Sequence, residues 1–451
     1  MQTLEGVQLI KDIERKYNVM SIRYKGVSVW PFLRIYLKES VTTQRENTVS
    51  ASNIKLVLKC LFAYNPFRAL KHHDVWSFTA CDRRKRLGDK MVHRISGSFA
   101  AEKVNCLMIE KPLKGIGHYR KKEIEERDII SESWLLMSFH AMEALSRATK
   151  PKLENEELIE KILRDYNLPF NHLRYVRILE AQRRAMRLML ALSPKPKIAF
   201  VECPYDTMGY LWAFHEKGIK VVEMQHGSLN GNHIAYNAEE YERNTNPDCI
   251  CVFGEVEYNY FVNEKPQFAP QVRMTGLYML ERADHFFADD VFRKERESYK
   301  AVVVIAGQPV YEEKLSKFVD AIAAEHRELL FVYIPRQKRD DLVFDSVNVR
   351  LVCGVNIYQY LKWADIHMTI TSTTGLESQF FRTPTIFYDD KKIASRYFKG
   401  VLSEENGVRF VETPDQFTTA FNELYGHDFS YREIFAHHHV KRIMEVLNEC
   451  I

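Results

Sequence analysis

From Val75 to Val411 short apolar runs alternate with helix-length amphipathic stretches, and no other feature limits the fold of this chain so strongly. Runs such as Ile198-Ala199-Phe200-Val201, Ala301-Val302-Val303-Val304-Ile305-Ala306 and Leu329-Leu330-Phe331-Val332-Tyr333-Ile334 are apolar on consecutive residues, which suits strands buried on both faces. Strands separated by helices pair through crossovers, so the alternation predicts parallel sheets covered on both sides. It comes in two series. Strands are expected at 75–80, 104–110, 198–202, 221–224 and 249–253, and, after Val272-Arg273-Met274-Thr275-Gly276, again from Ala301, at 329–334, 349–353, 364–370, 383–388 and 408–411. A length of 451 residues also exceeds what one hydrophobic core usually serves.

The expected organisation is an N-terminal domain over 1–285, a second over 286–430, and a helix over 431–451 that crosses back to the first. Charged stretches at 120–148 and 153–192 are expected as helices, and 278–299 as a polar helical connector. Residues 1–50 read as helical, interrupted by a hairpin around Gly26. Segment 53–73 is apolar, aromatic and basic without one acid. That is the composition of a helix in a lipid headgroup interface, and equally of a core helix whose lysines snorkel to water.

Composition excludes several classes. No apolar run reaches the length of a membrane-spanning helix, and a net charge of +4 is too small to argue for nucleic acid. The eight cysteines are scattered without metal-ligand or disulfide spacing, and the N-terminus carries no signal peptide, so a cytoplasmic protein without a bound metal is expected.

In open parallel sheets ligands sit beyond the carboxyl ends of strands, so candidate site residues must follow strands. In the first series these are Glu202 and Asp206 after one strand and His226, in Gln225-His226-Gly227, after the next: two carboxylates and an imidazole able to take a proton near neutral pH. In the second they are Gln308, then Arg336 and Lys338, then Ser372, Thr373, Thr374, Gly375 and Glu377. Arginine forks onto phosphate oxygens and lysine adds a point charge. A hydroxyl-rich turn at a helix start offers backbone N–H groups to an anion, and a following carboxylate accepts ribose hydroxyls. Plainer readings stay open: Ser372 to Glu377 as an ordinary helix cap, Gln225-His226-Gly227 as a turn in which Gly227 supplies a positive φ, Arg336 and Lys338 as a solvated loop, and Glu202 as a buried acceptor.

Met224-Gln225-His226-Gly227, Met274-Thr275-Gly276, Ser372-Thr373-Thr374-Gly375-Leu376-Glu377 and Thr383-Pro384-Thr385-Ile386-Phe387-Tyr388 together resemble the GT-B glycosyltransferase superfamily, and within it the bacterial capsule, lipopolysaccharide and teichoic-acid transferases. The resemblance spans roughly 198–412. It implies two Rossmann-like domains facing across a cleft, an acceptor side on the first and a nucleotide-sugar donor on the second, with no cofactor beyond that donor. Partners implied are a nucleotide sugar and a glycan or lipid-linked glycan acceptor; the expected peripheral contact with an anionic membrane at the inner face comes from the composition of 53–73 and not from the resemblance, which does not reach residues 1–190. The His-Pro pair of related transferases is replaced here by Pro335-Arg336, and Ser378 stands where UDP-N-acetylglucosamine 2-epimerases carry a second glutamate. The epimerases, polyol-phosphate transferases of the CDP-glycerol type and a non-catalytic binding module are the alternatives.

Overall fold

The computed structural model describes residues 2–43, 51–227, 229, 231, 233–265, 271–285, 290–337, 339 and 341–450. Residues 286–289, where the boundary between the domains is expected, and Lys338 lie outside the described residues.

A two-residue hairpin, β1 (Arg23–Tyr24) with β2 (Val27–Ser28), separates two N-terminal helices, Gln2–Lys16 and Trp30–Thr43. These helices share a core with the helices of 156–192 and with residues 229–261. Arg34, 1 % exposed, anchors them by bonding Glu14 and Asn237.

The first sheet contains β3 (Val75–Ala80), β6 (Cys106–Lys111), β7 (Ile129–Ser131), β8 (Ile198–Val201), β9 (Lys220–Met224), β10 (Cys249–Val252) and β11 (Val272–Met274). Between β3 and β6 an antiparallel hairpin stands apart, β4 (Arg84–Leu87) with β5 (Lys90–His93). The strand order is β11-β10-β9-β8-β3-β6-β7, with every pair parallel. The second sheet contains β12 (Ala301–Ala306), β13 (Leu329–Ile334), β14 (Val349–Leu351), β15 (Ile366–Thr369), β16 (Thr385–Tyr388) and β17 (Val408–Val411), ordered β14-β13-β12-β15-β16-β17 and again all parallel. Each sheet begins in its middle, grows to one side for two strands, then restarts on the other side, which is the Rossmann order. The protein is an α/β chain of two Rossmann-like domains, the GT-B type of architecture.

Several local expectations are corrected. The stretch 120–148 is not one helix, because Ile129-Ile130-Ser131 is buried and pairs with β6, leaving a helix only over Ser133–Ser146. The 153–192 stretch is two helices, Glu156–Asp165 and His172–Leu192, parted around Pro169, whose ring cannot continue a helix. The connector at 278–299 is not polar throughout: Tyr278, Met279 and Leu280 are buried in the core that joins both sheets. The closing helix starts only at His439, and 430–438 runs as an irregular strap.

That strap ties the C-terminus to the first domain. Ala436 N donates to Phe253 O at 2.7 Å, and buried His439 lies 2.9 Å from Thr275 O through Nδ1. Gly276 has φ +74°, and a Cβ there would stand 2.0 Å from Ala436 O, so no other residue lets the strap approach.

Candidate active site

The Rossmann order places a switch point between β3 and β8 in the first sheet and between β12 and β15 in the second, where crevices form at carboxyl ends. In the first sheet a cavity of about 300 Å3 opens there, lined by the ends of β3 and β8 and by Arg83, Lys111, Glu132, Glu202 and Asp206.

Glu202 follows β8 directly and is 5 % exposed. Its Oε1 accepts from Ser96 Oγ at 3.3 Å and lies 3.4 Å from His93 Nε2, while Oε2 has no partner. Burial pushes its carboxyl up to about 8, against the pull of Arg83 and Arg94. Burial also holds the His93 imidazole down to about 3, so at neutral pH the two meet as uncharged groups. Asp206 ends the turn Pro204–Asp206 with its side chain exposed to the cavity; desolvation there raises its carboxyl and Lys111 draws it back.

His226 follows β9. Its Nε2 lies 3.0 Å from the Tyr205 hydroxyl and 3.4 Å from Cys203 Sγ, and its Nδ1 lacks a well-formed partner. Burial first, then Arg83 and His233, hold the imidazole down to about 4, so it is neutral at pH 7. Gly227 has no positive φ and its missing Cβ faces open space, so the turn needs no glycine for backbone reasons. The turn is held instead by Gln225, whose Nε2 donates to Gly227 O at 2.8 Å and to Glu257 at 2.9 Å.

At the second switch point Gln308 spans the gap: its Oε1 accepts from Thr371 N at 2.8 Å and its Nε2 donates to Thr371 Oγ1 at 3.1 Å. The hydroxyl run follows β15. It opens a helix of four residues only, Thr374–Glu377, continued by a 3-10 turn over Ser378–Phe381. Within the run Thr374 N donates to Ser372 Oγ at 3.3 Å, Gly375 N to Ser372 O at 3.0 Å and Glu377 N to Thr373 O at 3.0 Å, whereas Ser372 N and Thr373 N donate to no group among the described residues. Thr374 Oγ1 lies 3.0 Å from buried His367. Gly375 serves packing, since a Cβ there would lie 2.5 Å from the Phe387 ring.

Charge for an anion comes from elsewhere. Arg94, just after β5, donates to Glu377 Oε1 at 3.3 Å and so joins the two domains. Glu377 is 2 % exposed and also accepts from Thr373 Oγ1 at 3.4 Å. Lys85 on β4 feels Arg94, Arg336 and Glu377; partial desolvation in the cleft, then the two arginines, lower its amine below the ordinary lysine value. Arg336 is exposed beyond β13. Arg83, Lys85, Arg94 and Arg336 thus surround the space between Glu202 and Glu377. Sequence reasoning missed the first three. The run Asp82-Arg83-Arg84-Lys85-Arg86, directly after the expected strand 75–80, was the available signal for Arg83 and Lys85.

Cys81, Glu110 and His118 bring ligand atoms within 4.8 Å of one another. Glu110 accepts from Arg84 Nε at 2.5 Å, and burial pushes the Cys81 thiol up to about 12. A guanidinium already bonded to the carboxylate competes with a cation at this cluster.

The sequence matches no family model and no curated protein. In structure the chain is similar to UDP-GlcNAc 2-epimerase from Methanocaldococcus jannaschii, at 11 % identity over 83 % of this chain and 99 % of that one, TM-score 0.48. It is similar to UDP-GlcNAc 2-epimerase from Neisseria meningitidis bound to UDP-GlcNAc, at 12 % identity over 83 % and 99 %, TM-score 0.48. It is also similar to a trehalose 6-phosphate synthase from Burkholderia multivorans, at 10 % identity over 84 % and 94 %, TM-score 0.41.

Proposed function

We propose that this chain is a GT-B type glycosyltransferase that moves a sugar from a nucleotide-sugar donor to a glycan or lipid-linked glycan acceptor in bacterial surface-polysaccharide assembly. The observation that carries the reading is the set of four cations, Arg83, Lys85, Arg94 and Arg336, set between two switch points with Glu377 on one side and the cavity of Glu202 and Asp206 on the other. The donor's diphosphate lies among the cations, and its ribose hydroxyls turn to Glu377. The acceptor hydroxyl enters the first-domain cavity and gives its proton to Asp206 or His226. The acceptor oxygen bonds the anomeric carbon as the bond to the diphosphate breaks, and the arginines stabilise the leaving charge. Glu202, uncharged at neutral pH, serves as a hydrogen-bond donor in place of the base expected from sequence. Eight free thiols, several of them buried, support a reducing cytoplasmic setting.

A second reading is a sugar-nucleotide 2-epimerase. The uncharged Glu202 near a neutral imidazole favours it, because such groups move a proton at carbon without an acceptor. The acceptor-sized cavity favours transfer. Incubation with UDP-, GDP-, CMP- and CDP-linked donors, with and without lipid-linked glycan, separates them. Acceptor-dependent release of nucleotide supports the transferase, and an epimerised donor formed without acceptor replaces it. CMP released from CDP-glycerol makes the protein a polyol-phosphate transferase. Donor at about a hundred times its dissociation constant stabilises the fold by roughly 2.7 kcal/mol. That melting shift is lost in Arg336→Ala and Glu377→Ala; retention in both assigns the nucleotide elsewhere.

A further inference from the structure

The acid-free stretch after residue 50 is not explained by the active site. In the structure it forms a helix, Ala51–Cys60, and a short turn, Pro66–Leu70. Large side chains stand out from it into solvent: Phe62 is 72 % exposed and Phe67 69 %. Ile54, Leu58 and Leu70 are exposed beside them. Leu192, at the end of the helix His172–Leu192, and Trp134, at the start of Ser133–Ser146, complete an apolar groove of about 520 Å3 with Phe62, Phe67 and Leu70.

The groove is held open by bonds beneath it. Trp134 Nε1 donates to Leu61 O at 2.9 Å, and its ring meets Phe62 edge-on at 5.4 Å. Asn65 Oδ1 accepts from Phe67 N at 3.0 Å, and Arg68 donates to Arg127 O at 2.6 Å. The turn is therefore fixed with its phenyl rings outward. A contiguous apolar face of this kind on a rigid frame marks a docking surface.

Charge decides what docks. Lys55, Lys59 and Lys71 are exposed on the same stretch and form no ion pair among the described residues. No Asp or Glu occurs from residue 51 to 73. Apolar side chains at the centre with cations beside them are complementary to an anionic bilayer, whose headgroups attract lysine while its acyl region takes up aromatic rings. Among the described residues no helix is long and apolar enough to cross a membrane, so contact of this type is peripheral.

We propose that this groove docks the protein on anionic lipid bilayers, with Phe62 and Phe67 entering the acyl boundary and Lys55, Lys59 and Lys71 meeting the headgroups. The inference stands independently of the reaction catalysed. It is tested on the full chain by co-sedimentation with phosphatidylcholine vesicles that contain or lack phosphatidylglycerol. The wild type partitions to the anionic vesicles and is released by high salt. The variant with Lys55→Gln, Lys59→Gln and Lys71→Gln binds about a hundredfold more weakly, as expected for three lysines near a charged surface. The variant with Phe62→Ser and Phe67→Ser loses about tenfold or more. Val347→Ser, at a site 92 % exposed in the second domain, changes nothing and serves as control. Because all the altered side chains are exposed, melting temperatures within about 2 °C of wild type verify the fold. Equal binding to neutral and anionic vesicles overturns the proposal. So do unchanged binding in both groove variants and a groove buried by self-association in place of lipid.

Discussion

At the carboxyl edge of the first sheet Thr79, Glu202 and His226 each hold a buried polar atom without a well-formed partner. At the same edge of the second sheet Gln308, Thr371, Ser372 and Thr374 are bonded to one another or to His367. Two sheets of the same strand order thus finish in opposite ways. Leaving a buried group unpaired costs about 1–3 kcal/mol, so at a crevice edge such atoms are open to bonds from a ligand or from water. Strand order fixes where a crevice forms, and satisfaction of its polar atoms tells which crevice awaits a partner. The second domain provides an edge whose side chains are bonded to one another, and the cations facing it come largely from the first domain's β4–β5 hairpin and the residues bordering it.

The most severe way to break this comparison is to remove the group that joins the edges. Arg94→Ala takes a cation from the diphosphate site and leaves Glu377 buried without its ion pair. Turnover is expected to fall by about 100- to 1000-fold, the range for a lost transition-state donor. The melting temperature falls as well, and Arg94→Lys restores part of both. Steady-state kinetics beside calorimetry checks this; wild-type turnover in Arg94→Ala removes the hairpin from the site.

Next in size are the first-edge groups. Asp206→Asn and His226→Ala are each expected to lower turnover about a hundredfold while nucleotide affinity stays unchanged. A loss of nucleotide affinity in either variant would move the donor to the first domain.

A smaller effect is expected from Glu202→Gln. Glu202 has a folded-state value of about 8 against an ordinary 4.5. From about pH 4.5 to 8 the unfolded chain releases this proton and the folded chain keeps it, so stability falls as pH rises through that window. Gln, which never ionises, is expected to flatten that fall and to retain most activity at neutral pH, where Glu202 is already uncharged. Melting curves and turnover across this window test it, and an unchanged slope in the variant places the charge elsewhere.

How much of this was legible in the sequence follows from where each partner lies. Strands such as 301–306 and 329–334 announce themselves because both faces are buried and every residue is apolar. The hairpin does not. Arg84-Lys85-Arg86 looks like a solvated charge run, yet Arg84 is fully buried because Glu110 and Glu126 neutralise it from distant points in the chain. Ile129-Ile130-Ser131 is too short to stand out and becomes a strand only because β6 lies beside it. Glu202, Asp206 and His226 stand out as candidates by their position after strands, a local rule. Arg94 was invisible, since its meaning lies in Glu377, 283 residues away.

The smallest expected effect falls on the hydroxyl run that the sequence singled out most strongly. Ser372 Oγ accepts from Thr374 N at 3.3 Å, a long bond that helps close a short turn. Ser372→Ala removes it, at a cost of about 0.5–1.5 kcal/mol of stability, the ordinary net worth of one such bond. Nucleotide affinity is expected to change by less than about threefold, because the Ser372 hydroxyl is engaged inside the turn and the diphosphate charge is met by arginines. A hydroxyl that bonded a phosphate oxygen directly would instead cost about tenfold or more, as hydrogen bonds to charged groups are worth roughly 1.5–3 kcal/mol. Titration calorimetry with the nucleotide, run beside a melting curve, distinguishes the two. A tenfold loss of affinity with an unmoved melting temperature would make the second edge a phosphate cradle after all and erase the contrast between the sheets.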